Sequence, residues 1–193
     1  MFRWPCEGVE YEAQQVLAAN LYQIGLSWAG TIIWDDVRSA EFVAGLPEFD
    51  PDRIAAVGLS MGSNRTWHLT AATDRVCMGA AICWMGTTEV LTQPGNNQTL
   101  GYSAFSMLHP GLRLALDYPH VASIACPKPM LFFNGDHDGL FPILCVEAAY
   151  KIMRAVWESQ NAGIAWSRKP GRFRICSIVK CGRRYLPGST DIF

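Results

Sequence analysis

The chain has 193 residues, half of them hydrophobic, so we expect a single domain with a sizeable core. A net charge of −1 argues against nucleic acid or an anionic membrane as a partner. No apolar run approaches the roughly 20 residues that cross a bilayer, and the N-terminus lacks the apolar segment of a signal peptide. The seven cysteines form no CxxC pair, which predicts reduced core thiols, no metal site and a reducing, cytoplasmic compartment.

Short apolar runs alternate with helical patterns along most of the chain, in the order typical of a parallel α/β sheet. The predicted helices cover residues 9–24, 30–45, 63–72 and 145–160, and the predicted strands cover residues 54–57, 76–84 and 129–133. Residues 86–124 are rich in turn-forming residues and are predicted to be an inserted loop region with short helices. The predicted fold class is therefore α/β, with a mostly parallel sheet flanked by helices.

The character of the sequence changes near Gly163. Residues 164–193 carry seven basic side chains and one acidic side chain, whereas residues 1–163 carry 9 basic and 16 acidic side chains. We therefore assign residues 1–163 to the domain and residues 164–193 to a divergent basic tail, which is expected to be poorly ordered apart from a strand-like stretch at 173–179. A shifted reading frame would produce such a change, and sequencing the encoding DNA tests that hypothesis.

The sharpest motif is Gly58-Leu59-Ser60-Met61-Gly62, which fits the G-x-S-x-G nucleophile elbow. It lies between a predicted short buried strand and a predicted amphipathic helix, and this context distinguishes a nucleophile elbow from a chance match to five residues. The strained turn lifts the serine hydroxyl above the sheet, and both glycines are expected to let neighbouring main chain pass close. The following helix aims its first N–H groups at the reaction centre, so the N–H of Met61 is the expected oxyanion donor.

A carboxylate is needed to orient the base of such a nucleophile, and Asp138 is the candidate. It follows the apolar run that ends at Phe133, and functional groups belong at the carboxyl ends of strands in a doubly wound sheet. Its position after Ser60 in the chain also fits the order of this fold. Asp136 is the rival candidate, although a turn-forming role at the end of the strand suits it better.

Two longer segments carry a family resemblance, namely D-P-D-R-I at 50–54 before the elbow, and K-P-M-L at 128–131 before G-D-H-D-G-L-F-P at 135–142. Over residues 8–160 the chain resembles the dienelactone hydrolase and acetyl xylan esterase branch of the α/β-hydrolases. The resemblance implies hydrolysis of small carboxylic esters, often acylated carbohydrates, with Ser60 as nucleophile, Asp138 as triad acid and no cofactor. Prolyl-oligopeptidase-type peptidases share a similar elbow and are an alternative within the class.

The family places its catalytic histidine after the acid, but here no histidine follows His137. His68 shares the helix that follows Ser60, and about 12 Å of helical rise separates the two residues. Neither the histidines of the inserted region nor His137, which adjoins Asp138, are well placed to bridge acid and serine. We therefore identify no catalytic histidine among the four present, which are His68, His109, His120 and His137.

Without a base, the serine hydroxyl keeps the high pKa of an alcohol, so we expect this chain to be inactive or nearly so. The second oxyanion donor ordinarily comes from a loop after an early strand, but the residues before the elbow are predicted to be mostly helical. A sheet without those strands has a free edge, which predicts self-association through that edge. The alternative to an enzyme is a non-catalytic binding remnant of the same fold.

Overall fold

The computed structural model describes residues 10–96, 104–135, 137–165 and 173–180. The first helices and strands are α1 (Glu10–Gln23), α2 (Trp28–Ala44), β1 (Ala55–Leu59), α3 (Met61–Ala72) and β2 (Met78–Ile82). Short helices follow, namely α4 (Thr88–Leu91), α5 (Ala104–Met107), a 3₁₀ turn (Leu112–Leu114) and α6 (Tyr118–Ser123). The last elements are β3 (Met130–Gly135), α7 (Ile143–Ser159), β4 (Gly163–Ala165) and β5 (Phe173–Lys180).

The sheet is built around three parallel strands, with the order β1-β2-β3-β5-β4. β5 runs antiparallel to β3, and β4 pairs with the far side of β5. The predicted α/β class is confirmed, as are the three predicted strands and four predicted helices, with small shifts of their ends. Residues 173–180 of the basic tail belong to the sheet, and its segments 166–172 and 181–193 lie outside the described residues.

The core lies on one face of this sheet, where α3, α6 and α7 pack together. α7 contributes because its apolar residues recur every three or four positions and so form one buried stripe. Burying each large apolar side chain of such a stripe contributes roughly 1.5–3 kcal/mol. The stripe comprises Cys145, Val146, Ala149, Tyr150, Met153 and Trp157.

α2 is attached to α3 by one polar contact. Ser27 caps its start, because the Ser27 hydroxyl accepts a hydrogen bond from the N–H of Gly30 at 3.0 Å. One helical face then carries Asp36, which is buried and accepts two hydrogen bonds from the guanidinium of Arg65, one of them from Nε at 2.9 Å. Such a two-point contact fixes the position of α2 along α3.

β1 is the outermost strand of the described sheet, and its second face is open. Gly58 faces α3, because a side chain built there would meet the main chain of Gly62. The neighbouring side chains point the other way, and Val57 and Leu59 are 71% and 65% exposed. Parallel sheets are normally covered on both faces, but no described element covers this side of β1. The prediction that the strand before the elbow is buried is therefore wrong, because its side chains alternate between exposed and half-buried.

No single helix among the described residues is long and apolar enough to cross a bilayer. α1 and α2 reach that length only when they are taken together, across an 85° bend.

Candidate active site

Ser60 occupies a sharp turn between β1 and α3, as the elbow motif predicts. Its φ of 54° and ψ of −116° lie outside the regions open to most residues, at a cost of roughly 1–3 kcal/mol. Two main-chain hydrogen bonds hold the turn, from the N–H of Ser60 to the carbonyl of Ile82 at 2.8 Å, and from the N–H of Asn64 to the carbonyl of Ser60 at 3.1 Å. The serine is exposed and lies outside the regular helix, which begins at Met61.

The two elbow glycines differ in what the turn requires of them. A Cβ built at Gly58 would overlap the carbonyl group of Gly62 and would lie 2.8 Å from its Cα. A Cβ built at Gly62 would meet no atom within 4 Å. The prediction that both glycines are needed for close approach therefore holds for Gly58 and is wrong for Gly62.

Asp138 lies at the same end of the sheet as Ser60. Because β1 and β3 run parallel with β2 between them, their carboxyl ends share one edge, with Ser60 directly after β1 and Asp138 three residues after the last residue of β3. Two strand spacings amount to about 10 Å, which leaves room between the two side chains for an imidazole. Asp138 is half-buried, and its Oδ1 accepts a hydrogen bond from the N–H of Leu140 at 2.9 Å. Its rival Asp136 lies outside the described residues.

Two thiols lie close enough to Asp138 for its negative charge to raise their pKa values, and the sequence did not indicate this arrangement. Cys83 follows β2 in a left-handed conformation with φ 59°, and burial followed by the nearby Asp138 carboxylate raises its pKa. Cys145 is buried near the start of α7, where burial is the main cause that raises its pKa to about 11. Both thiols are therefore protonated at neutral pH, so neither is an activated nucleophile.

The four cysteines whose side chains the structure describes are free thiols, and only Cys145 among them is fully buried. Cys77 and Cys83 were expected in the core because each sits in an apolar run. Both are half-buried instead, and Cys83 directly follows the last residue of β2.

His68 and His109 form a pair away from the elbow. The Nδ1 of His68 lies 2.8 Å from the carbonyl of Asn64, and its Nε2 lies 2.9 Å from the Nε2 of His109. Because a carbonyl only accepts, His68 carries its proton on Nδ1, so His109 donates to the bare Nε2. Burial is the main cause that lowers the pKa of His68 to about 3, with His109 adding to it. His68 is therefore neutral, and both of its ring nitrogens are already occupied.

The other two histidines occupy a helix cap and a turn. The Nδ1 of His120 accepts a hydrogen bond from the N–H of Asp117 at 3.0 Å, within the cap of α6. His137 is exposed in the turn after β3. Within the described part of the chain the hydroxyl of Ser60 makes no hydrogen bond, and no group of three or more His, Cys, Asp or Glu residues could hold a metal ion. The site therefore brings a serine hydroxyl, the first N–H of α3 and a carboxylate to one edge of the sheet.

Comparison with known proteins adds one relative. No family model matches the chain. The chain is 29% identical over 151 residues to a protein of Bacillus subtilis (strain 168) named "Putative hydrolase YtaP". The match covers 78% of this chain and 50% of that protein, so the chain spans about half the length of its relative.

Proposed function

We propose that the chain derives from a serine hydrolase of small carboxylic esters, with Ser60 as nucleophile. The observation that carries this proposal is the left-handed turn of Ser60 at the carboxyl end of a parallel sheet. A turn that costs energy is retained where it serves a site, and a hydrolase-named relative supports the same class. Acylated carbohydrates are the substrates that the family resemblance implies, and no cofactor is required.

The chemistry assigns one step to each group. The hydroxyl oxygen of Ser60 attacks the ester carbonyl carbon, and the N–H of Met61 stabilises the negative charge that forms on the carbonyl oxygen. The alcohol leaves with a proton, and water then releases the acid from the acyl-serine. Asp138 would orient and stabilise a protonated base, which must take the proton of the serine at the start.

That base is the group the described site lacks, so the proposed activity of this chain by itself is negligible. The proton of Ser60 has no acceptor within hydrogen-bond distance among the described residues, and an alcohol without a base is a poor nucleophile. The oxyanion donor and the turn remain in place. A side chain at position 60 that ionises without a base should therefore react faster because of the turn and the oxyanion donor.

Ser60→Cys supplies such a nucleophile, because a thiol ionises near pH ~8.5 without a base. The thiolate would attack p-nitrophenyl acetate, form a thioester and release p-nitrophenolate. We expect position 60 to be acetylated roughly tenfold faster than an ordinary exposed thiol, a conservative figure for one oxyanion donor. Stopped-flow release of p-nitrophenolate, with mass-spectrometric mapping of the acetylated peptide, measures the rate.

Ser39→Cys is the matched control, because Ser39 is exposed on the surface of α2 and lies far from the elbow in sequence. Both variants keep the seven native cysteines, so their background acetylation cancels. Equal rates at positions 39 and 60 would show that the turn offers no oxyanion donor. The chain would then be better described as a binding remnant than as a hydrolase site.

A further inference from the structure

A cavity outside the candidate active site lies between the turn that joins α1 to α2 and the segment that follows α5. Its volume is about 380 Å³, within the range of roughly 300–1,000 Å³ that small-molecule sites occupy. It borders His109, whose partner His68 lies about 12 Å of helical rise beyond Ser60. The described residues that line it are Tyr22, Gly25, Leu26, Leu108, His109 and Pro110.

Main-chain hydrogen bonds hold the wall of the cavity on the α1 side. The N–H of Gly25 donates to the carbonyl of Tyr22 at 3.1 Å, and the N–H of Leu26 donates to the carbonyl of Leu21 at 2.9 Å. These two bonds, with Gly25 at a φ of 76°, form the Schellman motif that commonly ends a helix. This wall is therefore formed before any ligand binds.

The described lining of the cavity carries no charge. Leu26, Leu108 and Pro110 supply only apolar side chains, and the polar side-chain atoms belong to Tyr22 and His109. Burial lowers the pKa of His109 and raises the pKa of Tyr22, so both side chains are neutral at neutral pH. A charged ligand would lose its hydration there without meeting an opposite charge. The lining therefore favours a neutral molecule.

His109 offers a hydrogen-bond acceptor that no described residue uses. Because the Nδ1–H of His68 donates to the carbonyl of Asn64, the Nε2 of His68 accepts the proton on the Nε2 of His109. A neutral imidazole carries one proton, so the Nδ1 of His109 is bare. This Nδ1 has no hydrogen-bond partner among the described residues, and a half-buried acceptor without a partner is unfavourable. A ligand hydroxyl would supply the missing donor.

We propose that the cavity binds a small neutral phenol, whose hydroxyl donates to the Nδ1 of His109 and whose ring and alkyl substituent contact Leu26, Leu108 and Pro110. The cavity has the volume of about a dozen water molecules at ~30 Å³ each, so one ring with a short alkyl chain fits. A phenol suits this acceptor better than an aliphatic alcohol, because its more acidic hydroxyl is the stronger donor. Its rigid ring also loses little conformational entropy on binding.

Titration of the unmodified chain with p-propylphenol at neutral pH, followed by two-dimensional NMR of the backbone amides, tests the proposal. We expect the amide signals of Gly25, Leu26 and Leu108 to shift as the ligand is added, and their shifts give the dissociation constant. Propylbenzene lacks the hydroxyl and should bind about tenfold more weakly, the value of one hydrogen bond. The anion p-propylbenzoate should leave these signals unchanged.

Three variants separate the contact with the hydroxyl from the cavity itself. His109→Phe keeps a ring but has no acceptor, so p-propylphenol and propylbenzene should bind about equally. Tyr22→Phe removes the other polar group and should keep the preference for the phenol. Leu108→Trp places a larger side chain in the cavity and should abolish the binding of both ligands.

The comparison of ligands on the unmodified chain needs no variant, so it decides the proposal even if a variant fails to fold. Absence of binding, or equal affinities for p-propylphenol and propylbenzene, would overturn the proposal. Amide shifts confined to residues outside the cavity, or equally tight binding of p-propylbenzoate, would also overturn it. An unchanged preference for the phenol in folded His109→Phe would contradict the role of His109.

Discussion

Replacing Gly58 with alanine is expected to lower the free energy of unfolding by about 3 kcal/mol, the upper part of the range for overpacking. The new methyl group would overlap the main chain of Gly62, which is fixed as the first turn of α3 and cannot move as a side chain would. Relief therefore requires the turn at Ser60 to open. Urea unfolding followed by circular dichroism measures the loss.

Gly62→Ala is the matched control in the same motif. A methyl group there meets no atom within 4 Å, and alanine is the better helix former by about 1 kcal/mol. We expect this variant to be as stable as the unmodified chain or slightly more stable. If both replacements cost the same, the close approach of residues 58 and 62 does not exist and the elbow is built differently.

Acid is expected to destabilise the fold through His68. Its pKa is lowered from 6.5 to about 3 in the folded chain, mainly by burial, so the unfolded state binds the extra proton first. The contribution of His68 to the free energy of unfolding is fully present above pH 6.5 and is lost as the pH falls toward 3. At about 1.4 kcal/mol per pKa unit, the loss amounts to several kcal/mol. The pKa of His109 is also lowered by burial, which acts in the same direction.

In His68→Phe the free energy of unfolding should depend less on pH below 6.5, because the new ring can keep the stack on Trp67 without taking up a proton. Its stability at neutral pH should fall, since the contacts with Asn64 and His109 are lost. His137→Asn, at an exposed position, is the control, and its free energy of unfolding should fall with acid as it does in the unmodified chain. Unfolding free energies measured in urea at a series of pH values distinguish these outcomes, and parallel profiles for His68→Phe and the unmodified chain would contradict the assignment.

The parts of the fold that the sequence predicts are those with local signals. A four-residue apolar run before Gly58 and a helical pattern after it predict the strand, the turn and the helix around Ser60. The shared edge of Ser60 and Asp138 is also predictable, because parallel strands end on the same side of a sheet. These predictions depend on neighbours in sequence or on one topological rule.

Contacts between distant residues are not predictable in this way. His68 and His109 are 41 residues apart, and no local pattern indicates that their rings meet. The left-handed turn at Cys83 likewise follows from how β2 ends beside β3, because the apolar run containing Cys83 indicates only a strand. The same reason explains Gly62, whose surroundings depend on how α3 lies against β1.

The central claim is that Ser60 is positioned as a nucleophile but is not activated. A fluorophosphonate probe tests it most directly, because such a probe reacts with a serine whose proton is removed by a base. We predict no labelling of the purified chain beyond that of its Ser60→Ala variant. Stoichiometric labelling that maps to Ser60 and disappears in Ser60→Ala would show that a base reaches the hydroxyl, and the claim would be wrong.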